Sequence, residues 1–241
     1  MPRAQLLLTC LGDQFYTQTL QNMTRLLERL GVELVFPHEQ TCCGQPHFNN
    51  GFEREAREVA RNFLRAFGRS DASIVGPSGS CVSMVKHHYP ELFPPGTPEH
   101  EAASEIAART FEFTEYLVNV LNITDVGASY PRKVTYHASC HYLREMGLKT
   151  EAKTLLNAVR GLEFIPLNEE ETCCGFGGAF TVTFPQVSRA MMENKVKNII
   201  ASGADTVITC EPGCLMNIAG GLRKAGSNIR AMHIIDLLAS R

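Results

Sequence analysis

Nine cysteines fall into two sets along the 241-residue chain. The first set is Cys10, the adjacent Cys42 and Cys43, and Cys81; the second is Cys140, the adjacent Cys173 and Cys174, Cys210 and Cys214. Each adjacent pair has nearly the same setting, "QTCCG" from Gln40 and "ETCCG" from Glu171. Neighbouring side chains usually point apart, so such a pair makes a poor disulfide, yet it can present two thiolates to a multi-iron centre where the backbone bends. Gly44 and Gly175 permit that bend. Thiolate is the soft ligand that zinc and iron-sulfur clusters select. Four thiolates suffice for zinc or a cubane cluster, and five exceed both. The second set therefore points to a centre with more iron sites than a lone zinc offers, while the first leaves its metal open. One buried cysteine is ordinary core material; two sets in matching order are not.

Other residues near the sulfurs could take part. His137 and His141 flank Cys140 in "YHASCH" and are the candidate catalytic residues, as hydrogen-bond donors, proton relays or an extra ligand. His47 follows the first pair and is a weaker candidate. "GFGGAF" after Cys174 lacks the G-x-G-x-x-G arrangement of a dinucleotide loop, and reads as backbone that leaves room around sulfur. "PSGSC" and "CEPGC" run into apolar stretches, and as helix N-termini their free N–H groups would favour an anionic centre; capping by Ser78, Ser80 or Glu211 is the plainer reading. Met191, Met192, Phe111 and Phe113 lie in helical patterns and are expected to be core or subunit contact.

The elements that must position these residues also repeat. "AQLLLTC" leads to Cys10, then come a helical "TLQNMTRLLERLG", a strand "VELVF" and the first pair. "KVTYHASC", "EAKTLLNAVRG", "LEFIP" and the second pair follow in the same order, Gly161 standing 130 residues after Gly31. Beyond the pairs, "EREAREVARNFLRAF" and "FPQVSRAMMENKVKNIIASG" read as helices, and "ASIVG" and "DTVIT" as strands that lead to Cys81 and Cys210. A Pro- and Gly-rich linker, "LFPPGTPEH", leads to a helix expected around "ASEIAARTFEFTEYLVNVL". The expected fold is α/β: two tandem pseudo-symmetric repeats, residues 1–125 and 126–241, each a mainly parallel sheet flanked by helices. Every cysteine is expected where a strand gives way to a loop, on one rim of its sheet.

Composition narrows the function. The formal net charge is −2 and the 23 Lys and Arg are scattered, which leaves no electrostatic footprint for nucleic acid. The first apolar run is too short for a signal peptide or a membrane span. The expected location is the cytoplasm, where thiols stay reduced and bind metal rather than pair as disulfides.

With these residues in hand, the chain resembles the cysteine-rich CCG-domain proteins, which include the heterodisulfide reductase catalytic subunit, and most closely their lactate utilization protein A subfamily. The likeness rests on "QTCCGQPHFNNG", "PSGSC", "YHASCHYLREMG", "ETCCGFGGAF" and "PGCLMNIAGGL", which together span nearly the whole chain. It implies an iron-sulfur oxidoreductase subunit of a multi-protein system that oxidises L-lactate to pyruvate. It implies a [4Fe-4S] cluster, non-cubane in kind, on Cys140, Cys173, Cys174, Cys210 and Cys214. For Cys10, Cys42, Cys43 and Cys81 a second, conventional cluster, a zinc ion and an incomplete site all stay open, because Pro77 or Ser78 stands where the penultimate cysteine is expected. The family's last cysteine pair has two intervening residues; Glu211, Pro212 and Gly213 make three here. The implied partners are the other lactate-utilization subunits, including a ferredoxin-type iron-sulfur protein, and L-lactate is a candidate substrate. The chain has no C-x-x-C-x-x-C ferredoxin run and no flavin or nicotinamide fingerprint, so onward electron transfer falls to a partner. Heterodisulfide reductase-like thiol/disulfide chemistry and a non-catalytic, zinc-stapled scaffold stand as the alternatives.

Overall fold

The structure, a computed structural model, describes residues 1–241. The chain divides into two compact units, Met1–Tyr116 and Leu117–Arg241. In the first, β1 (Arg3–Leu6), β2 (Glu33–Val35), β3 (Ser73–Gly76) and β4 (Thr110–Glu112) form a parallel sheet of order β2-β1-β3-β4. In the second, β5 (Lys133–Tyr136), β6 (Glu163–Phe164), β7 (Thr206–Thr209) and β8 (Arg230–His233) repeat that order as β6-β5-β7-β8, again parallel. These are the two parallel, helix-flanked sheets expected of the sequence.

Parallel neighbours cannot be joined by a hairpin, so helices carry the chain back each time and cover the sheet faces. Thr17–Arg29, Glu53–Phe67 and Pro98–Ala108 do this in the first unit, and Glu151–Asn157, Pro185–Ala201 and Pro212–Lys224 in the second. Covered on both faces, β7 is buried at every residue. The Glu53–Phe67 helix turns Ala56, Ala60, Phe63, Leu64 and Phe67 inward, an apolar stripe at spacings of three and four. The Pro98–Ala108 helix starts where Thr97 caps the His100 N–H, with Pro98 at its first position and Glu99 and Glu101 facing the positive end of its dipole.

Three local expectations need correction. The helix expected from residue 103 onward stops at Ala108, and Thr110–Glu112 becomes the edge strand β4, paired with β3 through Ile74↔Thr110 and Val75↔Phe111. Arg109 fixes the switch by donating to the carbonyls of Ala72 and Phe67. Phe111 therefore lies on a strand, whereas Phe113 is fully buried in the short helix after it. Glu112, also fully buried, caps that helix by accepting from the Thr114 and Glu115 N–H groups and the Thr114 hydroxyl. Burial pushes its carboxyl up to about 8, against the opposing pull of those hydrogen bonds. Second, β8 has no counterpart in the sequence reading; it is short, and its first residue, Arg230, is exposed. Third, Cys10, Cys81 and Cys214 sit in the first turns of helices rather than in loops.

Candidate metal centres

In each unit the sulfurs gather beyond the C-terminal ends of the two central strands. Cys10 and Cys140 follow β1 and β5, and Cys81 and Cys214 are each the third residue of the helix that follows β3 and β7. Cys81 therefore corresponds to Cys214, and Pro77 occupies the position of Cys210, between the strand and the helix cap. The adjacent pairs come in from the loops after β2 and β6. A parallel sheet directs its loops to one rim, so segments far apart in the chain deliver thiols to one place.

The Cys-Cys-Gly turn is built the same way in both units. Gly44 and Gly175 have φ of +81° and +85°, and their N–H groups point at the Cys42 and Cys173 sulfurs, at 3.5 and 3.3 Å. The turn folds back so that both sulfurs of the pair face the same set. In the first unit the Tyr89 hydroxyl donates to the Cys43 carbonyl at 2.9 Å, and Gln40 ties the loop to β1 through Leu6 and Leu8. In the second unit, Asn217 donates to the Cys174 carbonyl at 2.8 Å and the Ser188 hydroxyl to the Gly175 carbonyl at 2.7 Å. A Cβ at Gly175 would stand 2.5 Å from the Ser188 carbonyl oxygen. Gly175→Ala should therefore combine left-handed strain with a main-chain clash and cost about 3 kcal/mol, read as a lowered midpoint in denaturant unfolding.

The sulfurs are coupled. Cys42 Sγ lies 3.9 Å from Cys10 Sγ, and its pKa is held well below the ordinary thiol range by S–H donation from Cys10 and Cys43, despite partial burial. Cys10 and Cys43 rise correspondingly, each through its hydrogen bond to Cys42, and Cys43 also meets Cys81. The second unit repeats this: Cys173 is depressed by Cys140 and Cys174, whose own pKa values rise. Cys174 Sγ lies 3.0 Å from Cys214 Sγ. Cys210 is fully buried, with the Tyr136 hydroxyl 3.5 Å from its sulfur. Each set has an inner, buried side (Cys43 and Cys81; Cys174 and Cys214) and an outer one, where Cys10 is exposed and Cys42, Cys140 and Cys173 are half-buried.

The donor sets fit thiophilic metal. Each unit already carries one stabilised thiolate among neighbouring thiols, and soft sulfur donors converging without disulfides are what zinc or an iron-sulfur cluster requires. In the second unit His137 joins them: its ring nitrogen and the sulfurs of Cys174 and Cys214 all lie within 4.8 Å of one another. His137 is fully buried, neither ring nitrogen has a hydrogen-bond partner of normal geometry, and burial, helped by the nearby Lys195 cation, pulls its pKa down to about 3. It is therefore a neutral imidazole with a free lone pair, facing sulfur. His141 lies further out, its Nδ1 3.6 Å from Cys140 Sγ and its Nε2 3.5 Å from a Glu145 carboxylate oxygen. His47 is close enough to Cys42 to favour its thiolate.

The sequence reading missed Lys195, Ser188, Asn217 and Tyr89. Lys195 had a signal: it interrupts the apolar stripe of the Pro185–Ala201 helix between Met192, Val196 and Ile199 and is itself fully buried. No helix is long and apolar enough to cross a membrane.

A family model described as a cysteine-rich domain, CCG, matches the chain twice, over residues 4–86 and 134–219. Lactate utilization protein A of an Exiguobacterium strain is 46% identical over 99% of this chain and 97% of its own length. The protein of the same name from Geobacillus thermodenitrificans is also 46% identical, over 99% of each. A solved structure of a hypothetical protein from Helicobacter pylori has the same fold, with a TM-score of 0.61 at 10% identity, covering 98% of this chain and 48% of its own. The chain belongs to the lactate utilization protein A family and carries that family's Cys-Cys-Gly domain twice.

Proposed function

We propose that this chain is the iron-sulfur subunit of a multi-protein system that oxidises L-lactate to pyruvate and is needed for growth on lactate. The observation that carries the reading is the convergence of the second set: Cys140, Cys173, Cys174 and Cys214 are linked sulfur to sulfur, with Cys210 at the end of β7 and a neutral His137 against the inner pair. The names of full-length relatives supply the metabolic setting.

In this reading Cys140, Cys173, Cys174, Cys210 and Cys214 hold a [4Fe-4S] cluster of non-cubane type. When bound, such a cluster supplies one-electron redox chemistry. The chain's own residues prepare the site. Gly175 and the Cys140 and Cys174 thiols keep Cys173 as thiolate, and Asn217 and Ser188 fix the turn that aims the pair. His137, buried and neutral, is placed to ligate or to hydrogen bond a sulfur ligand. His141, between Cys140 and Glu145, is placed to hold a proton on the outer side of the set. Lactate oxidation releases two electrons and two protons, and a ferredoxin-type partner in the cytoplasm takes the electrons onward.

The first unit supports a second reading for its own site. Cys10, Cys42, Cys43 and Cys81 are four thiols with Pro77 at the fifth position, a set that zinc or a conventional cluster satisfies. Anaerobic purification decides both. Brown protein with iron and acid-labile sulfide supports the cluster reading, while colourless protein with stoichiometric zinc and no sulfide, even after reconstitution, overturns it. Deleting the gene should abolish growth on lactate; undiminished lactate oxidation would remove the metabolic assignment. Disulfide turnover by the purified complex would favour heterodisulfide reductase-like chemistry instead.

A further inference from the structure

The two centres differ in a way their cysteines do not show. β1 and β5 superpose in register, since the N–H groups of Leu7 and His137 make the same bond to the neighbouring strand, to Val75 and Ile208. The helices over the Cys-Cys-Gly turns correspond as well: a Cβ at Gly44 would face Ala56 and Val59, and one at Gly175 would face Ser188 and Met191. Seven residues beyond Ala56 is Phe63, and seven beyond Ser188 is Lys195. Where the first unit has Leu7 and Phe63, the second thus has His137 and Lys195, all four fully buried.

Phe63 shows that the position needs no charge for packing; it stacks on Phe67 at 4.1 Å and meets Tyr89 edge-on. An ammonium in the same place carries a desolvation penalty of several kcal/mol. Lys195 offsets part of it by donating to the carbonyls of Glu169 and, at 3.2 Å, Glu170, just ahead of Cys173. Glu169 itself has φ of +53°, with its carboxylate held by Asn194 and Asn198. Burial still pulls the lysine's pKa down, and the Cys174 and Cys214 sulfurs and the two glutamates oppose that pull in part. Tethering that loop would need only a neutral donor. A buried full charge is felt by the sulfurs themselves.

We propose that Lys195 is a positioning residue of the second centre, a fixed buried cation that raises its reduction potential above that of a centre lined as the first unit is. The inference rests on the cluster reading of the second set. A positive charge near a cluster stabilises its more negative, reduced form, and low dielectric strengthens the effect.

The test is an anaerobic redox titration of the reconstituted full chain, followed by paramagnetic resonance, for wild type, K195R, K195Q and K195M. K195Q keeps a donor for the Glu169 and Glu170 carbonyls while deleting the charge. K195Q and K195M should lower the second centre's midpoint so that its reduced-to-oxidised ratio at the wild-type midpoint falls about tenfold, ~59 mV for a one-electron couple. K195R should titrate close to wild type. Loss of loading in K195Q and K195M, with K195R loaded, overturns the proposal, because the charge would then serve retention of the cluster and not its potential. An unshifted midpoint in K195Q overturns it, as does equal loss of loading in all three, because tethering alone would then account for the lysine. Wild-type protein that takes up no iron sinks the cluster reading and this inference together, whereas iron uptake with an insensitive potential sinks this inference alone.

Discussion

Cys174→Ser should lower metal occupancy of the second unit at least tenfold while leaving the first unit loaded. Cys174 is buried, meets Cys214 at 3.0 Å, and hydrogen bonds Cys173, so it stands at the centre of the linked sulfurs. A serine hydroxyl does not ionise near neutral pH and is a hard ligand, so the soft donor is lost outright. Changes to outer partners alone cost metal sites 10–100-fold, and a direct ligand is worth no less. Iron and sulfide analysis should show the second unit's whole share missing, and cells carrying the variant should fail on lactate. The matching Cys43→Ser should instead remove the first unit's metal, whether analysis finds it as zinc or as iron with sulfide. Because helices and strands rather than metal place the sulfurs, both variants should keep wild-type circular dichroism; a collapse of secondary structure would show that metal organises the fold.

The second large effect concerns Glu112. Its folded carboxyl titrates at about 8 because burial disfavours the anion, whereas the unfolded carboxyl titrates near 4.5. With the folded value raised, the folded state binds the extra proton between those two values. The group's contribution is therefore fully present below pH 4.5, declines as pH rises, and is gone above about 8. The shift corresponds to on the order of 4 kcal/mol over that window. Urea unfolding of metal-free protein at pH 5 and pH 8 should show the loss in wild type. Glu112→Gln keeps an acceptor for the Thr114 and Glu115 N–H groups and should be the more stable protein at pH 8 by a few kcal/mol. Equal pH slopes in the two proteins would mean that the buried carboxyl ionises freely.

The duplicated architecture was legible because the cysteines act as register marks: two sets in one order, with strands and helices between them at nearly equal intervals, allow only one superposition. The Thr17–Arg29 and Glu53–Phe67 helices were legible for the ordinary reason that their apolar faces recur at three and four residues. β4 was not, because "RTFEFTEY" fits both periods, and what decides it is Arg109 gripping the carbonyls of Ala72 and Phe67, a tertiary effect. Spacing left Pro77 and Ser78 both open as the counterpart of Cys210; the helix starts, with Ser78 and Glu211 as the N-cap residues, choose Pro77. Lys195 was hidden for another reason: a lysine in a helix is normally solvated, and only the stripe around it betrays its burial.

The two-sided exposure of each sulfur set makes chemical attack directional. In both units the thiolate, Cys42 or Cys173, belongs to the solvent-facing side, so the most nucleophilic sulfur is also one that oxygen species and alkylating agents can reach. Damage in air thus begins at the rim, with Cys10 beside it in the first unit, while Cys43, Cys81, Cys174 and Cys214 are shielded. Reductants that restore the rim alone would return an intact cradle, ready to take up metal again.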